Sequence, residues 1–210
     1  MFPFHAGAPR RANDDARLTA ANDLVRRTLS QHGLMPGGDA ANWTMPQMPS
    51  FGTAAGAAAP GMNQFTCEAG SRDYLLHVPE SAKAGATGLV VMLHGCTQNA
   101  ADFAAGTGMN AHANRDGFIV LYPQQSRGDN AQSCWNWFSR GDQLRGKGEP
   151  AIIAAMTQKI AADYGVTADR TFVAGLSAGA AMAVILGQTY GDVFAAVGAH
   201  SGLPHSAAPG

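Results

Sequence analysis

Few arrangements satisfy the stretch Arg170-Thr-Phe-Val-Ala-Gly-Leu-Ser-Ala-Gly-Ala-Ala-Met-Ala-Val184. Thr171 to Ala174 is a short apolar run of strand character, and an Ala-rich helix begins at about Ala178. Between them Gly175-x-Ser177-x-Gly179 must turn the chain sharply. A serine held at such a strand-to-helix corner is a nucleophile elbow, which lifts the hydroxyl off the carboxyl edge of a sheet. Glycines two before and two after have no Cβ, so the strand and helix backbones can approach each other. The amino end of the helix then lies beside the hydroxyl, with free N–H groups facing any oxygen that gains negative charge. With 26 glycines in 210 residues the bare pattern arises by chance, and the flanking strand and helix are what give it meaning.

The rest of the chain supplies a sheet for that corner. Arg72 to Val78 alternates as an edge strand does, and Pro79 stops it. Gly88-Leu-Val-Val-Met-Leu93 and Phe118 to Tyr122 are continuous apolar runs, as expected of strands buried on both faces. A helix is expected over about 101–114, a second over 150–164 with Pro150 in its first turn, and a third from Ala178 to about Tyr190. A last strand is expected near 194–199. Strands alternating with helices imply an α/β fold, a mostly parallel sheet covered on both faces. Sites in such sheets gather beyond the carboxyl ends of the strands, where His94, Pro123, Ser177 and His200 all fall.

Residues 1–64 differ in character. Over 14–31, Leu18, Ala21, Val25 and Leu29 share one helical face, and Gly33 stops the run, so 1–33 reads as a helical leader. Residues 34–64, rich in Pro, Gly and Ala, read as a flexible connection, and 65–210 as the α/β domain. A hydrophobic share of 46% with 14% charged residues is enough to build a core. A net charge of −1 gives nucleic acid nothing to grip, and no apolar run reaches the length of a membrane span. The amino terminus has no basic start followed by an apolar stretch, so it is not a secretory signal as written.

At the strand ends the residue types suit acyl chemistry. His94-Gly95-Cys96 follows the first buried strand, where α/β-hydrolases place the second donor of an oxyanion hole. The two donors would be the backbone N–H groups of Cys96 and Ala178. The loop Ser133-Cys-Trp-Asn-Trp-Phe138 is unusually aromatic: Trp135 and Trp137 either wall a substrate pocket or cap the core, and tryptophan packs well in both places. Cys96 and Cys134 are both expected near the carboxyl edge, which makes a disulfide between the two loops a hypothesis. His5, His32, His77 and His112 stand alone, no histidine pair has metal-ligand spacing, and neither a metal nor another cofactor is expected. Gly146-Lys-Gly-Glu149 lacks the full phosphate-loop pattern, and an acidic residue at a helix start is ordinary dipole matching.

Taken in order, His94-Gly-Cys-Thr-Gln98, Gly117-Phe-Ile-Val-Leu-Tyr-Pro-Gln124, Cys134-Trp-Asn-Trp-Phe138, Gly148-Glu149, Gly175-Leu-Ser-Ala-Gly179 and Ser201-Gly-Leu-Pro204 resemble the poly(3-hydroxybutyrate) depolymerase family of esterases. These are α/β-hydrolases related to feruloyl and acetylxylan esterases, and the likeness runs from about Phe65 to Pro204. The resemblance implies Ser177 as nucleophile toward a hydroxyalkanoate or similar carboxylic ester, polymeric or not, with His94, Trp135, Trp137 and His200 as candidates for the substrate pocket. It also implies an extracellular setting, with the cytoplasm as the alternative because no signal is visible. One departure stands out. In α/β-hydrolases an acid and then a histidine come after the serine. Downstream of Ser177 this chain offers Asp192, His200 and His205, and none occupies the expected place. The sequence is therefore expected to be a partial esterase domain. The alternatives are that His200 substitutes as base, or that the chain is a non-catalytic binding module.

Overall fold

The computed structural model describes residues 61–204. The expected leader helix, most of the connection before the domain, and His5, His32 and His205 lie outside the described residues. Six strands form one sheet in the order β1-β2-β4-β3-β5-β6. They are β1 (Asn63–Cys67), β2 (Gly70–His77), β3 (Leu89–Leu93), β4 (Ile119–Gln124), β5 (Thr171–Leu176) and β6 (Ala196–His200). β2 runs antiparallel to β1 and β4, while the β4-β3-β5-β6 block is parallel. The strand expected at an edge, β2, is thus an inner one. A two-residue turn at Glu68-Ala69 folds β1 back onto it, with Cys67 opposite Gly70. From Asp73 to His77, β2 is half-buried throughout, with Tyr74 and Leu76 packed toward one face of the sheet and Leu75 toward the other.

Four helices connect the parallel strands: α1 (Ala100–Thr107), α2 (Met109–Asp116), α3 (Gly148–Asp163) and α4 (Ala178–Thr189). The single helix expected over 101–114 is two. Gly108 takes a left-handed φ of 61°, which closes α1 and starts α2 in a new direction. Pro123, expected to end its strand, lies inside β4. It sits past Leu121, the last residue of β4 that pairs with β3, where a missing amide is tolerated as at an edge.

Crossover handedness distributes the layers. From β3 the chain moves to β4 on one side, whereas the steps β4 to β5 and β5 to β6 run the other way across the sheet. Right-handed connections must then place α1 and α2 on one face, and α3 and α4 on the opposite face. The packing agrees. Leu89, Val91, Leu93 and Val173 bury against Ile153 and Met156 of α3 and Met182 and Leu186 of α4. Met92, Val120 and Tyr122 meet Phe103 of α1 and Ala113 of α2 on the other side. Connections that leave neighbouring strands toward opposite faces open a crevice between them, here between the carboxyl ends of β3 and β5. The loops in that crevice begin at His94 and Ser177.

Candidate active site

Ser177 is an exposed residue at the joint of β5 and α4, and its backbone is strained, with φ 56° and ψ −119°. Crowding accounts for both glycines. A Cβ on Gly175 would overlap the backbone carbonyl of Gly179, and a Cβ on Gly179 would overlap the carbonyl oxygens of Leu93 and His94. The corner is thus pressed against β3 as well as folded on itself. The Ser177 amide donates to the His200 carbonyl (2.9 Å), while the Ser177 carbonyl accepts from Ala180 and Ala181 (3.0 Å each). Ala178 opens α4, so its N–H has no acceptor within the helix.

The loop after β3 lies alongside. A Cβ on Gly95 would stand 3.5 Å from Ser177 Cβ and 3.5 Å from the Leu176 carbonyl oxygen. Gly95 donates to Gln98 Oε1 (2.8 Å) and Thr97 to the Gln132 carbonyl (2.7 Å). The amide between them, that of Cys96, has no such partner among the described residues, which suits a donor kept for an oxyanion. Cys96 is joined to Cys134 by a disulfide, with Cα atoms 4.2 Å apart. Thr97, Ser133 and Ser177 all have positive φ, so strained backbone clusters in the loops that meet here.

Two residues expected at the pocket wall have another place. His94 is fully buried, with both ring nitrogens engaged: Nε2 accepts from the Gln125 amide (3.1 Å), so Nδ1 carries the hydrogen and donates to the Gly95 carbonyl (2.8 Å). Burial lowers its pKa, against the raising effect of the Gly95 bond, and the ring stays neutral. Trp135 is also fully buried, its Nε1 donating to the His94 carbonyl (3.0 Å). Both support the loop from beneath and offer a substrate no surface. Trp137 is half-buried against the α3–α4 core and edge-on to Phe138 at 5.7 Å. His200 lines an open groove, about 500 Å³, with Met92, Phe103 and Leu176. Its Nδ1 lies 3.0 Å from Ser201 Oγ.

Residues 72–209 match the model of the family described as esterase PHB depolymerase. The chain belongs to that family. Among curated proteins, it is 42% identical to poly(3-hydroxyalkanoate) depolymerase C of Paucimonas lemoignei, over 70% of this chain and 35% of that protein. It is 34% identical to feruloyl esterase B of Neurospora crassa, over 56% of this chain and 40% of that one. Acetylxylan esterase A of Emericella nidulans is 32% identical, over 62% and 42% respectively. Of solved structures, the acetyl xylan esterase from Aspergillus awamori superposes with a TM-score of 0.62 at 27% identity, covering 69% of this chain and 53% of that one. The chain therefore spans less than half the length of these curated relatives.

Within this depolymerase-family domain, Asp192 is no partner for Ser177. It follows the far end of α4, a helix about 18 Å long, and pairs with Arg145 through both oxygens (2.6 and 2.8 Å). That bidentate bond lowers its pKa to about 2. Among the described residues, no group of three or more His, Cys, Asp or Glu is placed to hold a metal, and no helix is long and apolar enough to cross a membrane. Sequence reasoning misses Gln125, Asn136 and Glu149. Glu149 has the position of an ordinary first-turn acid, yet it is 3% exposed and hydrogen-bonded to three other segments. Nothing in a one-dimensional pattern separates a buried first-turn carboxylate from a solvated one. The only cue is its place among the ordered motifs.

Proposed function

We propose that this chain is a serine esterase acting on hydroxyalkanoate esters. Ser177 Oγ attacks the ester carbonyl, and the oxygen that becomes negative is held by the N–H groups of Cys96 and Ala178. The alcohol leaves, an acyl-enzyme remains on Ser177, and water releases the acid. The observation that carries this is the juxtaposition of an exposed, strained Ser177 with two backbone amides that have no internal acceptor. No described histidine ring is hydrogen-bonded to Ser177, and His200 is engaged with Ser201. The proton acceptor in this proposal is therefore a histidine outside the described residues, and His200→Ala should not abolish turnover. The Cys96–Cys134 disulfide fits an oxidising compartment, which supports work outside the cytoplasm.

The depolymerase likeness, at 42% identity, favours 3-hydroxyalkanoate esters. The likeness to the 27% identical acetyl xylan esterase structure and to the 34% identical feruloyl esterase B favours a second substrate class, acetyl or feruloyl esters. Turnover of 3-hydroxybutyrate trimer, methyl ferulate and acetylated xylan, each compared with Ser177→Ala, separates them. The proposal expects the trimer to be cleaved fastest and the variant to lose cleavage of all three. Faster cleavage of ferulate or acetyl ester selects the second class. No turnover, together with no serine labelling, leaves a non-catalytic module.

A further inference from the structure

Glu149 has no assigned role in the chemistry above, yet it is the most heavily bonded carboxylate among the described residues. Its Oε2 accepts from the Asn136 amide (2.7 Å), and its Oε1 accepts from Asn136 Nδ2 (2.8 Å), Arg72 Nη2 (3.2 Å) and Gln125 Nε2. These donors come from β2, from the end of β4 and from the aromatic loop. An ionised carboxylate offers acceptor sites on both oxygens and no donor, and here Oε1 takes three donors and Oε2 one. A neutral glutamine would turn one end into a donor facing donors. Burying a carboxylate is costly, so its presence in the first turn of α3 calls for a purpose beyond packing.

The bonds continue toward the catalytic loop. Gln125 also donates through Nε2 to the Cys134 carbonyl (2.9 Å) and through its backbone amide to His94 Nε2 (3.1 Å). Cys134 is covalently linked to Cys96, and Trp135, its neighbour, holds the His94 carbonyl. The routes from Glu149 through Gln125 and the aromatic loop thus end on residues 94–96. We propose that Glu149 is a positioning residue for the oxyanion donor of Cys96, fixing the 94–98 loop against Ser177 through Gln125, Asn136 and the disulfide. Its charged surroundings fit a clamp. Arg72 faces it from β2 and is itself tied to Asp129 (2.8 Å), while Asp142 caps the same helix by accepting from the Glu149 amide (2.6 Å). The inference rests on the esterase proposal only for the purpose of the clamp, not for its existence.

The test is hydrogen exchange on the full chain, read peptide by peptide, together with the rate at which a fluorophosphonate probe labels Ser177. Glu149→Gln is compared with wild type and with Ile160→Ala, a core truncation near the other end of α3. In Glu149→Gln, exchange at 94–98 and 132–137 should rise about tenfold while α4 is unchanged, and labelling should slow about tenfold. Ile160→Ala, made equally unstable, should show neither change at temperatures where it remains folded. An even rise across the sheet, or unchanged exchange at 94–98, overturns the proposal and leaves Glu149 a structural residue. If Glu149→Gln does not fold, Gln125→Met decides. A rise of about threefold confined to 94–98 supports the clamp, and none overturns it. A wild-type chain that takes up no probe contradicts the esterase proposal alone, because the exchange pattern still decides the clamp.

Discussion

Ser177 is held in a conformation that costs it energy. Its positive φ brings Cβ against the backbone, a penalty of about 1–3 kcal/mol for a non-glycine residue. Ser177→Gly should therefore raise stability by about 1 kcal/mol, the relieved strain less the extra freedom glycine gains when unfolded. Chemical denaturation measures this, and a loss of stability would mean the corner is not strained. His94 gives a pH signature. Its folded pKa lies below the ordinary 6.5 because burial disfavours the cation, so the unfolded chain takes up the proton first. Its contribution to stability is complete above about 6.5 and disappears as pH falls through the lower folded value. Burial raises the Glu149 pKa, which gives that residue a dependence of opposite sign, so the comparison must be with His94→Asn rather than with wild type alone. The melting-temperature difference between wild type and His94→Asn should shrink as pH drops from about 7 to about 5. A constant difference would mean that His94 is not held neutral.

The elements divide their tasks. β3 and β5 lie side by side at the centre of the sheet, and their following loops meet because the connections leave in opposite directions. α4 supplies an unpaired amide at its first turn, and α3 supplies a buried carboxylate at its own. The aromatic loop is tied to the β3 loop by the Cys96–Cys134 disulfide, across a sequence separation of 38. Closing a loop of that size should be worth about 4 kcal/mol through the unfolded chain. The Cys96→Ser, Cys134→Ser double variant should lose about that much in denaturant unfolding and should slow Ser177 labelling as its loop loosens. Equal stability with and without reductant would show that the two loops need no covalent tie.

At the scale of the molecule, the sheet is legible wherever the apolar run is unbroken, as in Leu89–Leu93, buried almost throughout, and in the β5 run after Thr171, buried on one face while Phe172 on the other is exposed. Ser177 is legible because crowding at a sharp corner admits only glycine at 175 and 179. Less visible are features decided by neighbours distant in sequence. β2 is internal because a hairpin covers it, and the helix after β3 breaks because Gly108 can turn left-handed. Trp135 fits pocket and core equally well until Nε1 finds the His94 carbonyl, and Glu149 resembles any solvated first-turn acid until three segments converge on it. The most direct test of the esterase site is peptide mapping after brief exposure of the full chain to a fluorophosphonate probe. If Ser177 faces the amides of Cys96 and Ala178, the adduct will form there at least about a hundredfold faster than at any other serine. Labelling spread evenly among the serines, or absent from the Ser177 peptide, would contradict it.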